Sequence, residues 1–236
     1  MKITVVGIHH IHQSILVNEK KLSLDNQVDK FVERFDKTLV GISEKLHALG
    51  LNTTLIANFS PHPKLMMALS RLEKIGVEVL PDLKDDIEYH LKVHTEECVI
   101  NFTPSTKLEL ANFQYKRIQA SRYVITNFDT FETLSFLSEW SNQNIIAYDV
   151  LPTYRALAFV QGIVLKQPPT NFEKSTKSLM QSGLNWLAIQ DEGFIHFITL
   201  KHRLQLNFKD VDVFLAEFMK QNDDELVAWI NQHLMR

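Results

Sequence analysis

The chain has 236 residues, 45% of them hydrophobic, enough for one substantial core with a small appendage. Its 25 Lys and Arg against 28 Asp and Glu leave a formal net charge of −3, a balance that gives no electrostatic footprint for nucleic acid or an anionic membrane. Cys98 is the only cysteine, which excludes an internal disulfide and a cysteine-rich zinc site.

Lys2 to Ile8 (KITVVGI) is short, apolar and β-branched, the pattern of a buried first strand rather than of a signal peptide. No apolar run approaches the roughly 18 residues of a membrane span, and a soluble cytoplasmic protein is expected. Phe31, Phe35, Leu39, Ile42, Leu46 and Leu49 recur at helical spacing and predict a helix closed by Gly50. Thr53 to Phe59 reads as a strand, Pro63 to Ile75 as a helix stopped by Gly76, and Val77 to Leu80 as the next strand. Strand, helix, strand, helix, strand is the order of a parallel sheet covered on both faces. Residues 87–103 break the rhythm: Ile87, Tyr89, Leu91 and Val93 alternate, then Val99 and Phe102 resume after a polar turn, as in a hairpin. The rhythm returns with strands at Tyr123 to Phe128, Ile145 to Val150 and Ile163 to Lys166, and a helix over Phe131 to Trp140. The stripe Phe128, Phe131, Phe136 and Trp140 reads as core. Trp186 to Gln190 and Phe194 to Leu200 form a second hairpin around Asp191-Glu192-Gly193, and Val211 to Met219 and Asp224 to Met235 close the chain as helices.

Five segments, in order, resemble the ribokinase-like (PfkB-type) carbohydrate kinases over nearly the whole chain. They are TVVGIHHIH, the helix ending HALG, LNTTLIANFSPHPKLMMALSRLEKIGVEV, VLKQPPTNFE and GLNWLAIQDEGFIHF, followed by LNFKDVDVFLAEF at Leu206 to Phe218. The resemblance implies an α/β fold: a single three-layer α/β/α sandwich over 1–236 with a mostly parallel sheet. It also implies a small β lid with strands within 10–30 and 87–103, which mediates dimerisation in several kinases of the family. It further implies ATP-dependent phosphorylation, with Mg²⁺, of a sugar or sugar-like metabolite. Asp212 falls on the family's catalytic base. His10 and His12 would contact substrate, Asp36 and Gly41 fall on its sugar-binding positions, and Lys166, Gly193 and Lys209 fall on the nucleotide side.

The departures are as informative. The family's catalytic loop reads Gly-Ala-Gly before the aspartate, and here Lys209, Asp210 and Val211 stand there. An anion hole at a helix N-terminus needs inward-turned backbone N–H groups, which glycine permits, and only 7 glycines occur in the chain. Asp212 is therefore either a base or a neighbour of an ordinary helix cap at Asp210. In IHHIH, residues 8–12, His10 and His12 share one face of an extended chain; ligand contact, a metal pair and a plain strand end all remain open. The loss of glycines leaves two expectations, a sugar kinase or a family member that binds a metabolite or protein partner without phosphorylating it.

Overall fold

In β1 (Lys2–Ile8), every residue after Lys2 is buried. That is the signature of a strand sandwiched between two helical layers, and its side chains alternate accordingly: Ile3 and Val5 enter one core, Val6 and Ile8 the other. The structure is a computed structural model and describes residues 1–8, 11–17, 30–35, 37–59, 62–83, 89–96, 99–102, 110–141, 144–221 and 223–234, a few of them, His12 included, by backbone alone.

After β1 come β2 (Ile11–Leu16), β3 (Lys30–Phe35), α1 (Thr38–Ala48), β4 (Asn52–Phe59), α2 (Pro63–Ile75) and β5 (Glu78–Leu83). Then follow β6 (Tyr89–His94), β7 (Val99–Phe102), α3 (Asn112–Gln119), β8 (Tyr123–Thr126), α4 (Phe131–Trp140) and β9 (Ile145–Tyr148). A 3-10 turn at Tyr154–Phe159 leads to β10 (Gly162–Leu165), α5 (Phe172–Gln181), β11 (Trp186–Asp191), β12 (Phe194–Thr199) and β13 (Arg203–Leu206). The helices α6 (Val211–Lys220) and α7 (Asp223–His233) complete the series.

Among the described residues, nine strands form the large sheet, in the order β13-β12-β11-β10-β9-β8-β1-β4-β5. It is parallel from β5 to β11, and β12 and β13 join antiparallel. α1, α2, α6 and α7 cover one face through Leu39, Ile42, Leu46, Leu65, Leu72, Phe214 and Trp229. α3, α4 and α5 cover the other through Ile118, Leu134, Leu137 and Met180. Each fully buried leucine or isoleucine contributes about 1.5–3 kcal/mol, so each of these faces is held mainly by its apolar stripe. Gly162 lies beside Trp186 in register, and a Cβ there would run into the indole ring; glycine lets the tryptophan lie flat on β10. Among the described residues, no helix is long and apolar enough to cross a membrane.

The second sheet has the order β3-β2-β6-β7. Its register sets Phe31, Ile15, Val93 and Ile100 in one cross-strand row, and Leu16, His94 and Val99 in a row on the opposite face. Glu33 of β3 ties this sheet to the start of α2: its Oε1 lies 3.3 Å from Lys64 Nζ and 3.6 Å from His62 Nε2.

Three expectations need correction. The helix expected from Phe31 is divided: residues 30–35 are β3, and α1 starts at Thr38. KFVERF alternates as well as it recurs every four residues, and pairing with β2 decides for the strand. The second strand of the small sheet therefore lies at 30–35, not within 10–30. Lastly, Phe131 and Phe136 are exposed at 42% and 37%, so of that aromatic stripe only Phe128 is fully in the core.

Candidate functional site

The carboxyl ends of β9, β10 and β11 converge on the first turn of α6. The chain leaves β13, runs through Asn207 to Lys209, and enters α6 with Asp210 in an extended conformation as its N-cap. Asp210 Oδ1 accepts the N–H of Asp212 at 2.8 Å. Gln190, near the end of β11, accepts the N–H of Val211 through Oε1 at 3.2 Å and donates through Nε2 to the carbonyl of Lys209, also at 3.2 Å. The first amides of α6, which would otherwise draw an anion, are thus met by two side chains of the same chain.

Asp212 points inward and is 2% exposed. Its Oδ1 accepts the hydroxyl of Tyr148, the last residue of β9. Its Oδ2 lies 2.7 Å from Nζ of Lys45 on α1, and the same ammonium lies 2.5 Å from Asp210 Oδ2. One cation therefore bridges two carboxylates. Lys166, just past β10, places its ammonium 5.2 Å from the centre of the Tyr148 ring and donates its backbone N–H to Asp149 Oδ1 at 3.2 Å. Asp149 holds φ at 56°, a left-handed conformation that Asp tolerates better than most residues.

The electrostatics follow from this packing. Burial pushes the Asp210 carboxyl up, but the hydrogen bonds from Lys45 and the Asp212 amide, with the charges of Lys45 and Lys166, outweigh it and hold the group below its ordinary value. Partial burial pulls Lys45 down, and its bonds to Asp210 and Asp212 outweigh that and raise it. Burial, then the adjacent Asp212 carboxylate, drives the Tyr148 phenol far upward, so it stays a protonated donor. A general base must offer a lone pair to the hydroxyl it deprotonates. Asp212 is 2% exposed and each of its oxygens already has a partner, Tyr148 on Oδ1 and Lys45 on Oδ2.

These residues do not fit a nucleotide phosphate and its metal. Gln190 and Asp210 take up the amides of Val211 and Asp212, and Phe208 and Val211, buried at 7% and 0%, turn into the hydrophobic core. Among the described residues, no three His, Cys, Asp or Glu side chains group as metal ligands.

Of the expected site residues, the structure brings Asp212 and Lys166 together around Tyr148. Lys209 is exposed and contributes a carbonyl rather than its ammonium. Gly193 sits in the β11–β12 turn with φ at 94°. Gly41 is the fourth residue of α1, lining a groove against Lys64, Met67, Ala68 and Arg71 of α2. His12 pairs by backbone with Arg34 and His90 in the small sheet. His10 and Asp36 lie outside the described residues. Sequence reasoning missed Lys45, Tyr148 and Gln190. Tyr148 lies in the strand expected at Ile145 to Val150 and Gln190 ends the strand expected from Trp186, so both stood in segments that the sequence placed. Lys45 carried no signal.

No protein-family model matches the sequence, and no curated protein does. Solved structures do match. A carbohydrate kinase from Agrobacterium tumefaciens is 15% identical with a TM-score of 0.58, covering 92% of this chain and 82% of its own. A pyrophosphate-dependent kinase in the ribokinase family, solved with sulfate, is 12% identical with a TM-score of 0.62, covering 95% and 90%. Phosphofructokinase-2 from Escherichia coli is 12% identical with a TM-score of 0.52, covering 87% and 79%. At such identities the likeness speaks for the fold: a ribokinase-like α/β/α sandwich with a mostly parallel sheet and a small second sheet.

Proposed function

We propose that this chain is a ribokinase-fold protein that binds a sugar-like metabolite under its small sheet and does not transfer phosphoryl groups. The observation that carries this reading is the state of Asp212: buried, ion-paired to Lys45 and hydrogen-bonded to Tyr148, beside helix amides already taken by Asp210 and Gln190. Phosphoryl transfer depends on a base at the attacking hydroxyl and on donors turned toward the transferred group. Here both sets of groups are spent on one another. The polar seam formed by Gln13, Glu33, His62 and Lys64, between the small sheet and α2, supplies donors and acceptors suited to hydroxyl groups.

The competing reading is an active kinase that uses ATP and Mg²⁺, with Asp212 as base and Lys166, Gly193 and Lys209 beside the nucleotide. What favours it is that Lys45 and Asp210 are 45% and 38% exposed, so their pair lies where solvent and ligands can compete for it. Calorimetry of the full chain with MgATP, MgADP and pyrophosphate separates the two. The non-catalytic reading expects no heat at millimolar concentrations and no sugar-dependent product. Micromolar binding with turnover that Asp212→Asn abolishes would establish the kinase instead. We assign self-association to the small sheet, which leaves Leu16 and Val99 exposed at 40% and 52% on one face. Sedimentation should show a dimer that Val99→Lys weakens; an unchanged monomer in both proteins would exclude it.

A further inference from the structure

The large sheet has a second cleft at its opposite end. Asn144 precedes β9, Gln161 precedes β10 and Asn185 precedes β11, so their side chains gather at the amino ends of three adjacent parallel strands. With Ser138 of α4 and Phe159 of the 3-10 turn they line a cleft of about 580 Å³. That volume falls in the range of small-molecule sites. Among the described residues, no charged side chain contributes to the lining.

Three carboxamides in one cleft make an uncommon lining, and here they are not spent on the fold. Gln161 Oε1 is buried with no donor. Among the described residues, the side chains of Asn144 and Asn185 make no hydrogen bond. Ser141, three residues from both Ser138 and Asn144 in the chain, has its hydroxyl buried and unpartnered as well. An unsatisfied buried acceptor costs stability, so an apolar residue at position 161 would serve the fold better. The backbone beneath is fixed: Val124 N donates to Asn144 O at 3.0 Å, and Gln161 N donates to Ile145 O at 2.8 Å. Phe159 is held by an edge contact to Phe131, with centroids 5.3 Å apart. Carboxamides set on strand ends beside an aromatic ring, with no charged side chain among the described lining residues, complement a molecule whose hydroxyls both donate and accept and whose C–H faces are apolar.

We propose that this cleft is a second ligand site, for an uncharged polyhydroxylated molecule of the saccharide or polyol class. It goes beyond the function proposed above and shares no residue with the Asp212 cluster. Neither a phosphate nor a carboxylate finds a cation in it.

The test is an amide chemical-shift titration of the full chain with maltose as probe, and with glucose 6-phosphate in parallel. Saturable shifts at residues 144, 161, 183 and 185 are expected, with a Kd on the order of 10 mM or tighter and at least roughly tenfold weaker in Asn185→Ala. Gln161→Leu should lose binding while its melting temperature rises, because the variant removes an acceptor that has no donor. A residue with a purely structural role would do the reverse, and a fall in melting temperature with unchanged binding overturns the assignment. So do the absence of saturable shifts up to on the order of 100 mM, shifts confined to residues 208–212, or tighter binding of the phosphorylated sugar. Asn185 is exposed and its replacement leaves the core untouched, so that variant decides the matter should Gln161→Leu fail to fold. ATP turnover would sink the non-catalytic reading without moving any of these shifts.

Discussion

Lys45 sets its ammonium 2.7 Å from Asp212 Oδ2 where that side chain is nearly sealed from water, and its removal leaves the buried oxygen without this partner. Lys45→Met should cost about 2 kcal/mol, less than the loss of a fully buried partner because Lys45 itself is half-exposed. Urea midpoints of the variant and the parent measure it. The pH dependence has a defined sign. Asp210 is held below its ordinary 3.8, so its contribution is present above that value and is lost as pH falls through the lower, folded one. Lys45 is raised above 10.5, so its contribution is complete below that value and is lost as pH rises through the higher, folded one. The gap between parent and Lys45→Met should therefore be widest at intermediate pH and narrow at both extremes. A gap that stays constant down to strongly acid pH would mean that Asp210 does not depend on the ammonium.

α1 contains a glycine that the helix does not need. A Cβ at Gly41 would meet no atom within 4 Å, and the backbone there is ordinary helix. Glycine in a helix interior costs about 0.5–1 kcal/mol relative to alanine, so Gly41→Ala should raise stability by that amount, visible as a higher melting temperature. If a ligand approaches the backbone in the α1–α2 groove, the same variant should bind it less well; unchanged binding would remove Gly41 from the site. Most elements were legible because their signals are local. Gly76 ends α2 with φ at 94°, and Glu192-Gly193 turns β11 into β12 with φ at 40° and 94°, each where the sequence placed a stop or turn. β3 was misread because Phe31, Phe35 and Leu39 keep a four-residue spacing across a strand, a break and a helix. α3 and α5 went unnoticed, since their mean hydropathy is low and each buries few side chains, two in α3.

For the whole molecule, the architecture follows from strand order, but the state of the site does not. The run of strands and helices predicted a parallel sheet with two covered faces, and both cores are where that pattern puts them. Asp212 was identified by its neighbours in sequence. What it touches was not, because Tyr148 is 64 residues away and Lys45 reaches Asp210 across 165. That separation has a kinetic meaning. An ion pair joining the first helix to the sixth closes a loop of 165 residues, and is expected to form on the native side of the folding barrier. Lys45→Met should leave the refolding rate almost unchanged and put nearly all its cost into faster unfolding, as stopped-flow measurement of both limbs would show. The bridge that ties Asp212 to α1 would then also set how long the folded chain persists.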